Sequence, residues 1–217
     1  MKGLFLKDFR YVLTQKTFII LILIIGLALN MTMGDSYYFT LGYITFMGVI
    51  LGVTTSSMDD QKNGMSFLFT LPISRKQYIT EKYLFSILMM LLFCVISLLI
   101  VFLTRWIKHY DIPFSDIFFT AFGCFSCLFF FLALMLPLTL KFGEEHARLA
   151  YFITLGAFLI VMIPMIALIN FLDTHTALLL SLHFGIISLA ITSCLLVALC
   201  LIVSYCVSLR IIRHRDF

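Results

Sequence analysis

Charge is scarce in this sequence. Only 12% of its 217 residues are charged, while 62% are hydrophobic; a soluble domain carries about a quarter charged. That shortfall excludes a soluble domain and marks an integral membrane protein. No Lys, Arg, Asp or Glu lies well inside its long apolar stretches. Ion and proton pathways are marked by intramembrane charges, so their absence argues against a proton-driven transporter or an ion channel. No G-x-x-x-x-G-K-[ST] loop is present, nor a soluble segment large enough to hold one, so the chain has no nucleotide site of its own. No internal repeat or low-complexity linker divides it. The basic and then apolar N-terminus lacks an A-x-A cleavage pattern and is expected to be retained.

What is present is a set of apolar runs long enough for helices to cross a bilayer, which takes roughly 20 residues. Six such runs occur, at 17–33, 37–57, 84–104, 117–140, 150–170 and 184–209. They are too continuous for barrel strands, and only a helix satisfies every backbone group within its own segment. The expected fold is therefore all-α, with six transmembrane helices. The basic residues set the orientation. With the N-terminus inside, Lys2, Lys7, Arg10, Lys16, Lys62, Arg75, Lys76, Lys82, Lys141, Arg148, Arg210, Arg213 and Arg215 are cytoplasmic, and only Arg105 and Lys108 are outside. This split obeys the positive-inside rule, puts both termini in the cytoplasm, and explains the net charge of +4 without nucleic acid.

Residues 1–16 mix Leu4, Phe5, Phe9 and Val12 with charged residues, the composition of a helix lying in the membrane interface. The second run carries Gly42, Gly48 and Gly52 and reads as a packing helix, because small residues let helices approach closely. In the fourth, Phe118, Phe122, Phe125 and Phe129 fall on one helical face, suited to lipid contact, dimer packing or a substrate wall. Pro137 and Pro164 each remove a backbone donor from their spans. Trp106 and Tyr110 suit an outer aromatic belt. The connection 171–183 holds Asp173, His175 and His183 around an apolar run that includes Leu179, which fits a short re-entrant helix better than a free loop.

Residues 58–83 are a charged island between two apolar runs. Asp59 and Asp60 are expected at a helix N-terminus, where negative charge is favoured. Gly64 bends the segment, Met65, Phe67, Leu68 and Leu71 form a short apolar face, and Pro72 ends that helix. Ser74 then caps a second helix starting at Arg75. Such an apolar knob suits a helix-in-groove contact with a partner.

Asp60, Gly64, Leu68, Leu71-Pro72-Ile73-Ser74-Arg75 and Lys82, with the opening Met1-Lys2-Gly3-Leu4-Phe5-Leu6-Lys7-Asp8, resemble ABC-2 type transporter permeases, the small six-span members of a type V exporter-like architecture. The resemblance covers essentially the whole chain. It implies an N-terminal connecting (elbow) helix over 1–16, a transmembrane domain over 17–217, and a coupling helix contacting a cytosolic ABC ATPase subunit. That contact would use Asp59, Asp60, Gly64, Met65, Phe67, Leu68, Leu71 and Arg75. An outer gate near Asp173, His175, Leu179 and His183 is implied as well. So is a second permease, the same chain or a different one, in the plasma membrane of a bacterium. The resemblance gives this chain no cofactor; ATP and magnesium belong to the ATPase. Many members carry glutamate where Asp60 stands. Among small permeases the likeness is to exporters of cytolytic peptides such as phenol-soluble modulins, and of bacteriocins. The uncharged aromatic spans suit such amphipathic or hydrophobic cargo. A reading of another class is a non-transporting scaffold or immunity protein whose island binds a regulatory partner.

Other chemistry fails on spacing. Glu144-Glu145-His146-Ala147-Arg148 with His175 is similar to the glutamate pair and histidine of CPBP-type intramembrane proteases. The arginine comes one residue early, and His175 is expected on the opposite side of the membrane from Glu145. Cys124 and Cys127 lack the second pair a zinc site needs, so the cysteines read as packing residues.

Overall fold

The computed structural model describes residues 2–32, 37–59, 64–70, 73–108, 114–142, 149, 151–156, 160 and 186–213. Their regular structure is helical: α1 Lys2–Thr14, α2 Lys16–Thr32, α3 Tyr37–Met58, α4 Gly64–Thr70, α5 Arg75–Lys108, α6 Phe114–Phe142 and α7 Ile186–Arg213; residues 151–156 are helical too. Helices α3, α5, α6 and the 194–213 part of α7 are each long and apolar enough to cross a membrane. Helices α1 and α2 meet at a 65° bend and pass the same test only as a pair, so the described residues hold four spans, or five with that pair. The expected span 17–33 coincides with α2, whereas most of 150–170 lies outside the described residues.

Helix α3 is the axis of the bundle, and its widest contact is with α5, followed by α6. Two glycines make that contact close. A Cβ on Gly48 would stand 2.6 Å from the Cβ of Phe93, and one on Gly52 would stand 2.7 Å from the backbone Cα of Ser86. Small residues substitute here for the hydrophobic drive that lipid does not supply. Helix α2 touches α3 through a narrow line, Ile22, Gly26 and Asn30, and leaves Phe18, Ile20, Leu21, Ile24 and Leu27 exposed. A polar pair closes its far end: Asn30 Nδ2 donates to Thr104 Oγ1 at 2.5 Å.

Helix α5 runs unbroken for 34 residues, roughly 50 Å at 1.5 Å per residue, well beyond a hydrocarbon core of about 30 Å. Its residues 75–83 precede the apolar run 84–104 and project past it. Ser74 caps the helix as expected. The Ser74 hydroxyl accepts from the Gln77 N–H and the Gln77 side chain accepts from the Ser74 N–H, each at 3.2 Å, a reciprocal capping box. Arg75 donates to the carbonyls of Ile212 and Arg213 at 2.8 and 2.9 Å. The end of α7 is thereby tied to the start of α5, at the end of the bundle where α1 also packs.

Candidate functional site

At that end, three separate segments meet in a buried ion cluster. Helix α1 contributes Lys7 and Asp8, the turn after α3 contributes Asp59, and α5 contributes Tyr78, Glu81 and Lys82. Leu4, Asp8 and Val12 recur every four residues on the buried face of α1, so the apolar contacts that seat the helix also carry Asp8 inward. Phe5 packs edge-on against Phe85 of α5, centroids 5.3 Å apart.

Lys82 lies at the centre with its side chain fully buried. Its Nζ pairs with Asp8, stands 2.7 Å from Asp59 Oδ2, and lies 3.4 Å from the Thr55 hydroxyl. Lys7 pairs with Asp59 and sits 3.4 Å from Asp8, so each aspartate faces both lysines. The Tyr78 hydroxyl donates to Asp59 Oδ2 at 3.3 Å. Burial by itself pulls a lysine toward the neutral form. Around Lys82 that effect is outweighed by Asp59, Asp8 and Glu81, which raise its pKa and keep it charged. Tyr78 is pushed well above its ordinary value by burial and then by Asp59 and Asp8, so it stays a hydroxyl donor.

Glu81 is the odd member. Among the described residues it makes three carboxyls against two ammoniums, and neither of its buried oxygens has a hydrogen-bond donor. Its nearest cation, Lys82, is 3.9 Å away and already held by two aspartates. Burial pushes the Glu81 carboxyl up to about 7; Lys82 opposes the shift, and Asp8 adds to it.

The island itself departs from its expected form in one respect. Asp59 does not begin a helix. It follows the C-terminus of α3, and its N–H donates to the Thr55 carbonyl at 3.3 Å. A carboxylate is disfavoured at the negative end of a helix; here Lys7 and Lys82 compensate it. Gly64, which opens α4, lies against Asp59, where a Cβ would meet the Asp59 carbonyl oxygen at 2.7 Å. Met65 and Leu68 of α4 turn into the core formed with Leu4, Val53, Tyr78 and Ile79, whereas Phe67 is 71% exposed. Of the apolar face, two residues seat the helix and one points away. Arg75 holds the end of α7. Asp60 and Leu71 lie outside the described residues, as do Asp173, His175, Leu179, His183, Glu144, Glu145, His146 and Arg148.

The Phe face of α6 changes character along its length. Phe118 is exposed, Phe122 is half-buried, and Phe125 and Phe129 stack edge to face 4.7 Å apart against the core. Cys94, Cys124, Cys127 and Cys200 are partly buried, but Cys194 and Cys206 are exposed, so those two are not packing residues within this chain. Among the described residues no group of three His, Cys, Asp or Glu side chains is arranged to hold a metal.

Sequence reasoning missed the cluster by treating Lys7 and Lys82 as surface cations. A signal existed: Asp8 is the only acid in residues 1–16, and Lys82 stands one residue before a long apolar run. Opposite charges at the edges of separate spans can pair only if those edges meet.

A family model described as ABC-2 family transporter protein matches residues 3–213. No curated protein and no solved structure matches the chain.

Proposed function

We propose that this chain, which belongs to the ABC-2 family of transporter proteins, is the permease through which a separate ABC ATPase drives export of an amphipathic or hydrophobic substrate, such as a cytolytic peptide or bacteriocin. The family implies the permease role, the membrane setting and the ATPase partner; direction and cargo are our reading. Spans free of internal charge and rich in phenylalanine favour such a cargo over an ion.

The observation that carries the coupling role is the seating of α4. Met65 and Leu68 fix this short helix on the permease core while Phe67 projects from it. Force applied at Phe67 reaches α3 and α5 through that seat. Through Asp59 and Lys82 it also reaches α1, which serves as the elbow helix. The outward face of α1, with Leu6, Phe9 and Leu13, suits a helix lying in the membrane interface. Lys7, Asp59 and the end of α7 share one end of the bundle, which agrees with six spans and both termini in the bacterial cytoplasm. The outer gate belongs to Asp173, His175, Leu179 and His183. A second permease, identical or not, completes the transporter, with ATP and magnesium bound by the ATPase pair.

The test is Phe67→Asp. The protein should insert at normal levels, lose co-purification with its ATPase and lose export. ATPase binding and transport at wild-type levels would end the coupling assignment and favour a scaffold role.

A further inference from the structure

On the opposite side of α6 from α3, a groove of about 580 Å³ runs between α6 and α7. Its walls are apolar, with Leu134, Pro137, Leu199, Val203 and Val207 prominent, and Lys141 stands at one end. The groove follows the helices from Phe130 to Lys141, eleven residues or roughly 16 Å at 1.5 Å each. That is about one leaflet of a hydrocarbon core some 30 Å thick. Lys141 is the penultimate residue of α6 and is exposed, at the depth where a spanning helix leaves the hydrocarbon. Its ammonium makes no ion pair among the described residues; its neighbour is the Phe142 ring, 5.6 Å away.

We propose that this groove is a binding site for an anionic phospholipid of the leaflet nearest Lys141, with an acyl chain along the α6–α7 seam and the headgroup phosphate on the Lys141 ammonium. The dimensions and the charge agree: a slot one leaflet deep, apolar throughout, ends in an unpaired cation. Basic pockets between spanning helices at the membrane surface attract anionic headgroups. A second copy of the chain is a poorer occupant. A symmetric contact brings a patch against itself, and the groove lining contains no acid to meet Lys141. The site needs only a membrane-spanning α6 and α7, and is independent of the cargo or the ATPase contact.

The sequence makes the test clean, because Trp106 is its single tryptophan. In full-length protein carrying Trp106→Phe, a tryptophan is introduced by Leu134→Trp on the α6 wall or, as a second reporter, by Val203→Trp on the α7 wall. Each is reconstituted in phosphatidylcholine vesicles containing brominated phosphatidylglycerol or brominated phosphatidylcholine, and quenching is measured. Brominated phosphatidylglycerol should compete about fivefold better (~1 kcal/mol, as for one lysine near a membrane surface). Lys141→Gln should bring the ratio to about one while leaving phosphatidylcholine quenching unchanged. Equal quenching by the two lipids with Lys141 intact overturns the proposal in favour of bulk lipid contact. No quenching by either lipid overturns it in favour of a protein cover.

Discussion

The Ser204 hydroxyl on α7 donates to the backbone carbonyl of Ala133 on α6. That carbonyl is the one Pro137, four residues on, leaves without a helical donor. An orphan backbone acceptor inside a membrane is costly, and a serine on a neighbouring helix is one way to satisfy it. Ser204 is also joined to Tyr83 of α5, whose hydroxyl lies 2.6 Å from Ser204 Oγ and 2.9 Å from Ser208 Oγ. The proline in α6 is thus latched to both neighbouring helices.

The latch predicts a coupling between two substitutions. Ser204→Ala should destabilise the protein by about 1 kcal/mol, as expected for an interhelical bond to an otherwise unsatisfied acceptor. In a Pro137→Ala background the new N–H supplies Ala133 itself, so the same change should cost almost nothing. Thermal unfolding of the four proteins in mild detergent reads the cycle. An equal cost in both backgrounds would show that Ser204 does not serve the proline.

Lys82→Met should be the most damaging single change at the ion cluster. It leaves Asp8 and Asp59 buried around a vanished charge, and breaking a buried pair in this way costs about 3–5 kcal/mol. Helix α1 should loosen, and limited trypsin digestion should cut faster at Arg10. Adding Asp8→Asn and Asp59→Asn should recover part of the loss, because no buried aspartate then lacks its lysine. Unchanged digestion in Lys82→Met would contradict the anchoring role.

Glu81 predicts a pH dependence of definite sign. Its folded pKa is raised from the ordinary 4.5 to about 7, so between those values the folded state holds a proton that the unfolded state has lost. Stability from this group is then full below pH 4.5, falls as pH rises toward 7, and is flat above it. Subtracting the unfolding profile of Glu81→Gln from that of the wild type should isolate a downward slope over that window. A flat difference would show that Glu81 ionises freely.

The glycines of α3 should separate by position. Gly52→Ala puts a Cβ 2.7 Å from the Ser86 backbone, which cannot yield without parting α3 from α5, a loss of about 1–3 kcal/mol. Gly42→Ala meets only the Cys124 sulfur at 4.0 Å, and the better helix propensity of alanine should make it neutral or stabilising. Unfolding midpoints of the two variants check the contrast.

Much of the architecture was legible in local pattern. The expected run 37–57 is α3, Tyr37–Met58, because hydropathy and helical length are properties of one segment. Ser74 as a cap followed from the same kind of reading, since a capping box spans only four residues. The site was less legible. Asp59 lies in the right segment, but its role reversed: a helix-starting carboxylate became the partner of Lys82. Leu68 and Phe67 looked equivalent on a seven-residue helix, where no sequence period tells which side meets the core.

By itself, the sequence determined that this chain lives in a membrane, because 62% hydrophobic residues in runs of helical length have no other stable solvent. It also determined that the charged island stands apart from the spans, since water or a partner must meet its charges. Only the tertiary structure decided which charges are buried together. Lys82 and Asp8 are 74 positions apart, and nothing in either neighbourhood specifies the other. Their pairing arises when Gly48 and Gly52 draw α5 onto α3 and the apolar face of α1 closes over both. Charge becomes structural where packing brings it out of water, and packing depends on surfaces distant in the chain.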